Sequence, residues 1–131
     1  MTASRYGSTV SLARPFDETL AAVREVLAAE GFGVLTEIDV RATLEAKLGV
    51  TVPQQVILGA CNPPLAHAAL DAEPSVGLLL PCNVVVRAGD GGTIVEAIDP
   101  RMLVTVTGNE ALAPIADQVA DKLDRAMANL A

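Results

Sequence analysis

Two cysteines, one histidine and a few closely spaced carboxylates are the side chains in this sequence with the means to do chemistry. Cys61 lies in Gly59-Ala60-Cys61-Asn62-Pro63-Pro64, just ahead of a helical pattern over 65–72. Asn62 is a good N-cap. Prolines at the first two helical positions sacrifice no bonds, because those N–H groups have no intrahelical partner. A thiol at a helix start meets the macrodipole and free N–H groups, which stabilise thiolate, so Cys61 is expected to be the more reactive thiol. The plainer alternative is a small buried hydrophobe at a strand-to-helix junction, because free cysteine is among the most buried residue types. Cys82, after Pro81 at a strand start, has the same two readings, with burial favoured more strongly. Asn62 and Asn83, each following a cysteine, complete this group of candidate ligand-binding residues.

His67 would add a third ligand to Cys61 and Cys82 for a soft metal such as zinc or copper. Spacing argues against that site. Leu65, Ala66, Ala69 and Leu70 claim the inner helix face, which leaves His67 outward beside Asp71 at i+4. No CxxC or HxxxH spacing is present. The expectation is no metal and no cofactor, with Cys61, His67 and Cys82 as the weaker alternative. A nucleophilic Cys–His pair is disfavoured for the same reason. Glu37 and Asp39 lie two apart on one side of a strand, where paired carboxylates can hold a cation or move a proton, and Lys47 can pair with either. A solvated sheet face and helix flank explain them as well. Gly89–Gly92 lacks Lys or Thr in phosphate-loop order and reads as a turn.

These candidates need a scaffold of ordinary size. The 131 residues suit one domain spanning 1–131, with its core over about 9–130. Hydrophobic residues make up 51% but aromatics only 2%, so a stacking platform for bases or sugars is poorly supplied. A net charge of −7 repels phosphate backbones and anionic headgroups, which argues against nucleic acid and membrane as partners. Mean hydropathy is positive at +0.43, yet no apolar run approaches the roughly 20 residues of a membrane span. Met1–Tyr6 contains no apolar stretch of signal-peptide length. Two cysteines without an export signal fit a reducing cytoplasm. The surplus of apolar residues points to an interface with a second copy.

Periodicity supplies the elements. Strands are expected over 9–12, 34–40, 55–58, 83–87 and 93–98, with a further short extended piece at 103–106. Helices are expected from Pro15 to about Ala29, from Arg41 to Leu48 with Leu44 and Leu48 inward, over 65–72, and from about Asn109 to Leu130. On strand 34–40, alternation sets Val34, Thr36, Ile38 and Val40 against Leu35, Glu37 and Asp39. If helices cover the face with Val10, Leu12, Val34, Ile38, Val84 and Val86, the acids share the other face with Thr9, Ser11, Asn83, Val85 and Arg87.

An ordered series of segments then carries a resemblance. Gly31-Phe32-Gly33-Val34-Leu35, Ile38-Asp39, Lys47-Leu48-Gly49, Ile57-Leu58-Gly59-Ala60-Cys61-Asn62-Pro63 and Leu79-Leu80-Pro81-Cys82-Asn83-Val84 follow one another. That series resembles the bacterial domain of unknown function 302 family over roughly residues 10–130. The resemblance implies an α+β fold with a single antiparallel sheet, helices on one face in a TATA-binding-protein-like layout, and often a homodimer. It implies no established activity. The functional expectation is a non-enzymatic module that binds a small molecule or partner protein. The alternative is a thiol- or metal-dependent activity centred on Cys61 with Cys82.

Overall fold

Valine-rich segments with period-two alternation pair edge to edge into one sheet in the computed structural model, which describes residues 1–131. The strands are β1 (Thr2–Ala3), β2 (Gly7–Leu12), β3 (Gly33–Asp39), β4 (Gln55–Cys61), β5 (Cys82–Gly89) and β6 (Gly92–Ile98). Their order across the sheet is β1-β2-β6-β5-β4-β3, and every pairing is antiparallel. The helices are α1 (Phe16–Ala29), α2 (Val40–Leu48), α3 (Pro63–Ala72), α4 (Met102–Thr107) and α5 (Ala113–Ala128), with 3₁₀ turns at Pro74–Leu79 and Glu110–Leu112. The fold class is α+β, as expected. No helix is long and apolar enough to cross a membrane.

One sheet face packs against helices. Val10, Val56, Leu58, Val84, Val86 and Val95 meet Val23 and Leu27 of α1 and Val119, Leu123 and Met127 of α5 in the larger hydrophobic cluster. Each such aliphatic side chain contributes about 1.5–3 kcal/mol by leaving water. A smaller cluster of Ala69, Val76, Leu103 and Leu112 gathers beside it, under α3 and the two 3₁₀ turns.

Four local expectations change. The extended piece at 103–106 is helical: α4 ends at Gly108, which is left-handed at φ 67, and buries Leu103 in the smaller cluster. Its β-branched residues prefer strands, but that preference is weak and the burial of Leu103 overrides it. Strand β4 runs on through Gly59-Ala60 to Cys61, because β5 offers register partners as far as Ala60↔Cys82. Helix α2 buries none of its residues, and Leu48, expected inward, is 69% exposed. Alternation along β3 breaks at a bulge between Val34 and Thr36, which pair with Ala60 and Gly59 in turn. One extra residue reverses the facing of everything after it. Glu37 and Asp39 therefore turn to the helix side at the sheet edge, and Ile38 turns to the open face, where it is 47% exposed.

Gly59 sits under that bulge. A Cβ there would collide with the Thr36 hydroxyl and come within 2.7 Å of the Pro81 ring. The side chains of Thr36 on β3 and of Pro81 just before β5 close over this position from both sides, which requires a residue without a side chain. Gly59→Ala is expected to cost about 1–3 kcal/mol of stability, measured by chemical denaturation. A variant as stable as the parent would show that the bulge relaxes freely.

Candidate functional site

Between the two hydrophobic clusters lies a cavity of about 310 Å³. Its lining includes the paired residues Ala60 and Cys82 of β4 and β5, with Cys61 at the strand end. Leu65, Ala66, Ala69 and Leu70 of α3 contribute the face identified as inward from spacing, and Leu103, Ile115 and Val119 come from α4 and α5. Phe32, Leu35, Leu80 and Pro81 complete most of the rest. Leu35 is 67% and Leu70 41% exposed, which places them at the rim. Thirteen of the sixteen lining residues are hydrophobic, and apart from the thiols only Asn62 presents a polar side chain.

Asn62 shapes the corner where β4 hands over to α3. Its Oδ1 accepts from the Leu65 N–H and its Nδ2 donates to the Glu30 carbonyl, each at 3.4 Å. One amide thereby caps α3 and ties it to the end of α1. Pro63 and Pro64 occupy the first helical turn as expected.

The thiols differ in setting. Both are free. Cys82 is buried, Cys61 partly so. Burial, reinforced by the nearby Cys61, pushes the Cys82 thiol up to about 11. Burial is the larger cause, and the thiol stays protonated at neutral pH.

The remaining candidates do not join them. His67 projects to solvent with its side chain 81% exposed, 3.6 Å from Asp71. It cannot complete a ligand set with Cys61 and Cys82, so that alternative metal site is corrected: no three His, Cys, Asp or Glu side chains converge as metal ligands. Glu37 pairs with Arg24 of α1 at 2.7 Å. Asp39 accepts from the Ala42 N–H at 2.9 Å and caps α2. Lys47, in the last turn of α2, has no ion-pair partner, so of its two readings the pairing with either acid does not form. Asn83 is exposed on the open sheet face opposite Gly59. On that face Glu96 accepts from Thr9 at 3.0 Å and from Arg87 at 2.9 Å. Partial burial opposes its charged form, but the bonds from Arg87 and Thr9 outweigh it and hold the carboxyl below its usual range.

Sequence reasoning had no means to add Phe32, Leu80, Leu103, Ile115 and Val119 to one site. Ile115 and Val119 share one stripe of α5 by their i, i+4 spacing, and nothing in that spacing says which neighbour the stripe faces.

The model of the family described as "Domain of unknown function DUF302" matches residues 8–130. A crystal structure of an uncharacterized conserved protein DUF302 from Bacillus stearothermophilus is similar, with 32% sequence identity and a TM-score of 0.90. The match covers 98% of this chain and 100% of that one. No curated protein matches.

The raised Cys82 thiol has a consequence for stability. Its ordinary value is 9.0, so between there and about 11 the unfolded chain loses the proton that the folded chain retains. Stability from this group is complete below pH 9.0 and is lost as pH rises through about 11. The parent is expected to lose about 2–3 kcal/mol more than Cys82→Ala over that interval, by denaturant titration at each pH. Parallel pH curves would mean that Cys82 is as solvated as in the unfolded chain.

Proposed function

The chain belongs to the DUF302 family, whose name assigns no activity, and we propose that it is a non-enzymatic binding module that takes a small, mainly apolar molecule into the pocket between its two hydrophobic clusters. The observation that carries this reading is the lining: thirteen hydrophobic residues of sixteen around about 310 Å³, the two cysteines among them, with Asn62 as the polar side chain. That volume lies at the lower end of the range for small-molecule sites, and a few polar groups in an apolar wall are what such sites use to orient a ligand. The one histidine, His67, points to solvent and is not placed to activate either thiol. Two free cysteines and no membrane-crossing helix fit the proposed setting in a reducing cytoplasm.

Phenylnaphthylamine, a probe that brightens in apolar surroundings, tests this directly. Binding is expected at about micromolar dissociation constant. Ala66→Leu, which adds bulk to a partly buried wall residue, is expected to weaken it at least about tenfold with little change in melting temperature. No brightening with the parent, or equal binding by a folded variant, would overturn the reading.

A second copy of the chain is the proposed partner, and the open sheet face supports that. Ile38 and Ile98 are 47% and 37% exposed there, beside the partly buried Ile57, Val85 and Ile94. Such a concentration of aliphatic side chains on one face marks an interaction surface. Sedimentation at about tens of micromolar is expected to give twice the chain mass of 13.5 kDa, and Ile38→Glu to give the single chain. A parent species of 13.5 kDa alone would sink the dimer.

A further inference from the structure

The two cysteines are separated by twenty residues of chain but meet at one end of one cavity. Cys82 is the register partner of Ala60, so Cys61 is the next residue along the adjacent strand. Paired antiparallel Cα atoms lie about 5 Å apart and successive residues about 3.4 Å along, which sets the diagonal Cα separation near 6 Å. A disulfide spans about 4.4–6.8 Å between Cα atoms. Alternation alone would point the two side chains to opposite faces. Strand β4 ends at Cys61, however, and the chain turns there into α3; both cysteines contribute to the same cavity wall.

We propose that Cys61 and Cys82 form a peroxide-sensitive pair that closes into a disulfide across β4 and β5 and, by tying the strand end to its neighbour, narrows the apolar pocket. The second half of this proposal rests on the reading of the pocket as a ligand site. The chemistry balances with a hydroperoxide as the two-electron oxidant. The Cys61 thiolate attacks one peroxide oxygen, the O–O bond breaks, and the sulfur becomes a sulfenic acid while the leaving oxygen departs as hydroxide or alkoxide and takes up a proton. The Cys82 sulfur, giving up its proton, then attacks the Cys61 sulfur; the S–S bond forms, the S–O bond breaks, and water leaves. Exposure assigns the roles, because the partly exposed Cys61 meets the oxidant first and the buried Cys82 resolves the product. A buried resolving thiol that holds its proton makes the second step the slow one, so closure should accelerate as pH rises from 7 toward 9.

Hydrogen peroxide added in small excess to the reduced protein, followed by intact mass spectrometry and peptide mapping, provides the test. The expected product has lost two hydrogens and contains a Cys61–Cys82 cross-link. Cys82→Ser should instead gain one oxygen on Cys61, trapped by dimedone, and Cys61→Ser should change neither way at the same dose. Phenylnaphthylamine should bind the oxidised parent about tenfold more weakly, with recovery on adding a thiol reductant. A parent that remains in the dithiol form, accumulates the Cys61 oxygen adduct without cross-linking, or links only between chains would overturn the pair. An internal disulfide with unchanged probe binding would overturn the narrowing. If the reduced protein fails to bind the probe yet forms the cross-link, the ligand-site reading fails and the redox pair stands.

Discussion

Two hydrophobic clusters form in this chain and do not merge. The larger joins the sheet to α1 and α5; the smaller holds α3, α4 and the 3₁₀ turns together. Where they meet, the residues are small: Ala60 in the strand, Ala66 and Ala69 in the helix, and Gly77 beyond it. Native interiors leave few voids, because each unfilled contact forfeits dispersion and burial energy. A seam of alanines at this position is therefore a departure from dense packing, and the candidate site follows from it. Bulkier side chains at the same positions would join the clusters into one core and remove the pocket.

The polar features around that seam serve position more than reactivity. Asn62 spends its amide on the α3 cap and the Glu30 carbonyl, which holds the helix carrying Ala66 and Ala69 at its distance from the sheet. Arg125 reaches the Glu30 carboxylate at 2.9 Å and ties α5 to the same corner. An exposed pair of this kind is worth little alone, but it adds to a junction already defined by packing. The Glu96 cluster with Thr9 and Arg87 lies on the other side of the sheet and shares no residue with the pocket. The molecule thus presents two separate surfaces: an apolar cavity on the helix side and a mixed aliphatic and polar sheet on the other.

Much of this architecture was legible in residue order. Alternation in β2, β5 and β6, the apolar stripe of α5, and the Asn62-Pro63-Pro64 start of α3 are local signals, and the structure follows them. The outward direction of His67 was legible for the same reason, since helical spacing alone decides it. The β3 bulge was not. Val34 to Val40 alternates apart from Leu35 and Thr36, and the cause of the bulge lies on a different strand, where Gly59 leaves room for Thr36 and Pro81. The extended expectation for 103–106 failed because β-branched residues carry a weak local preference, and the burial of Leu103 against Val76 and Leu112 outweighed it. Of the candidate site, Cys61, Asn62 and Cys82 were identified from their neighbours in sequence. The wall residues were missed because the pocket is assembled from elements more than eighty residues apart, and spacing within a helix names its buried face without naming what that face meets.

The central claim is that the seam between the clusters receives an apolar molecule. Methyl-resolved NMR during titration with phenylnaphthylamine reads occupancy residue by residue. The pocket account predicts that the largest shifts fall on the methyl groups of Leu65, Leu80, Leu103, Ile115 and Val119, with those of Ile38, Ile57 and Val85 nearly still. Shifts concentrated on the open-face isoleucines and Val85, with the pocket methyls unmoved, would contradict it.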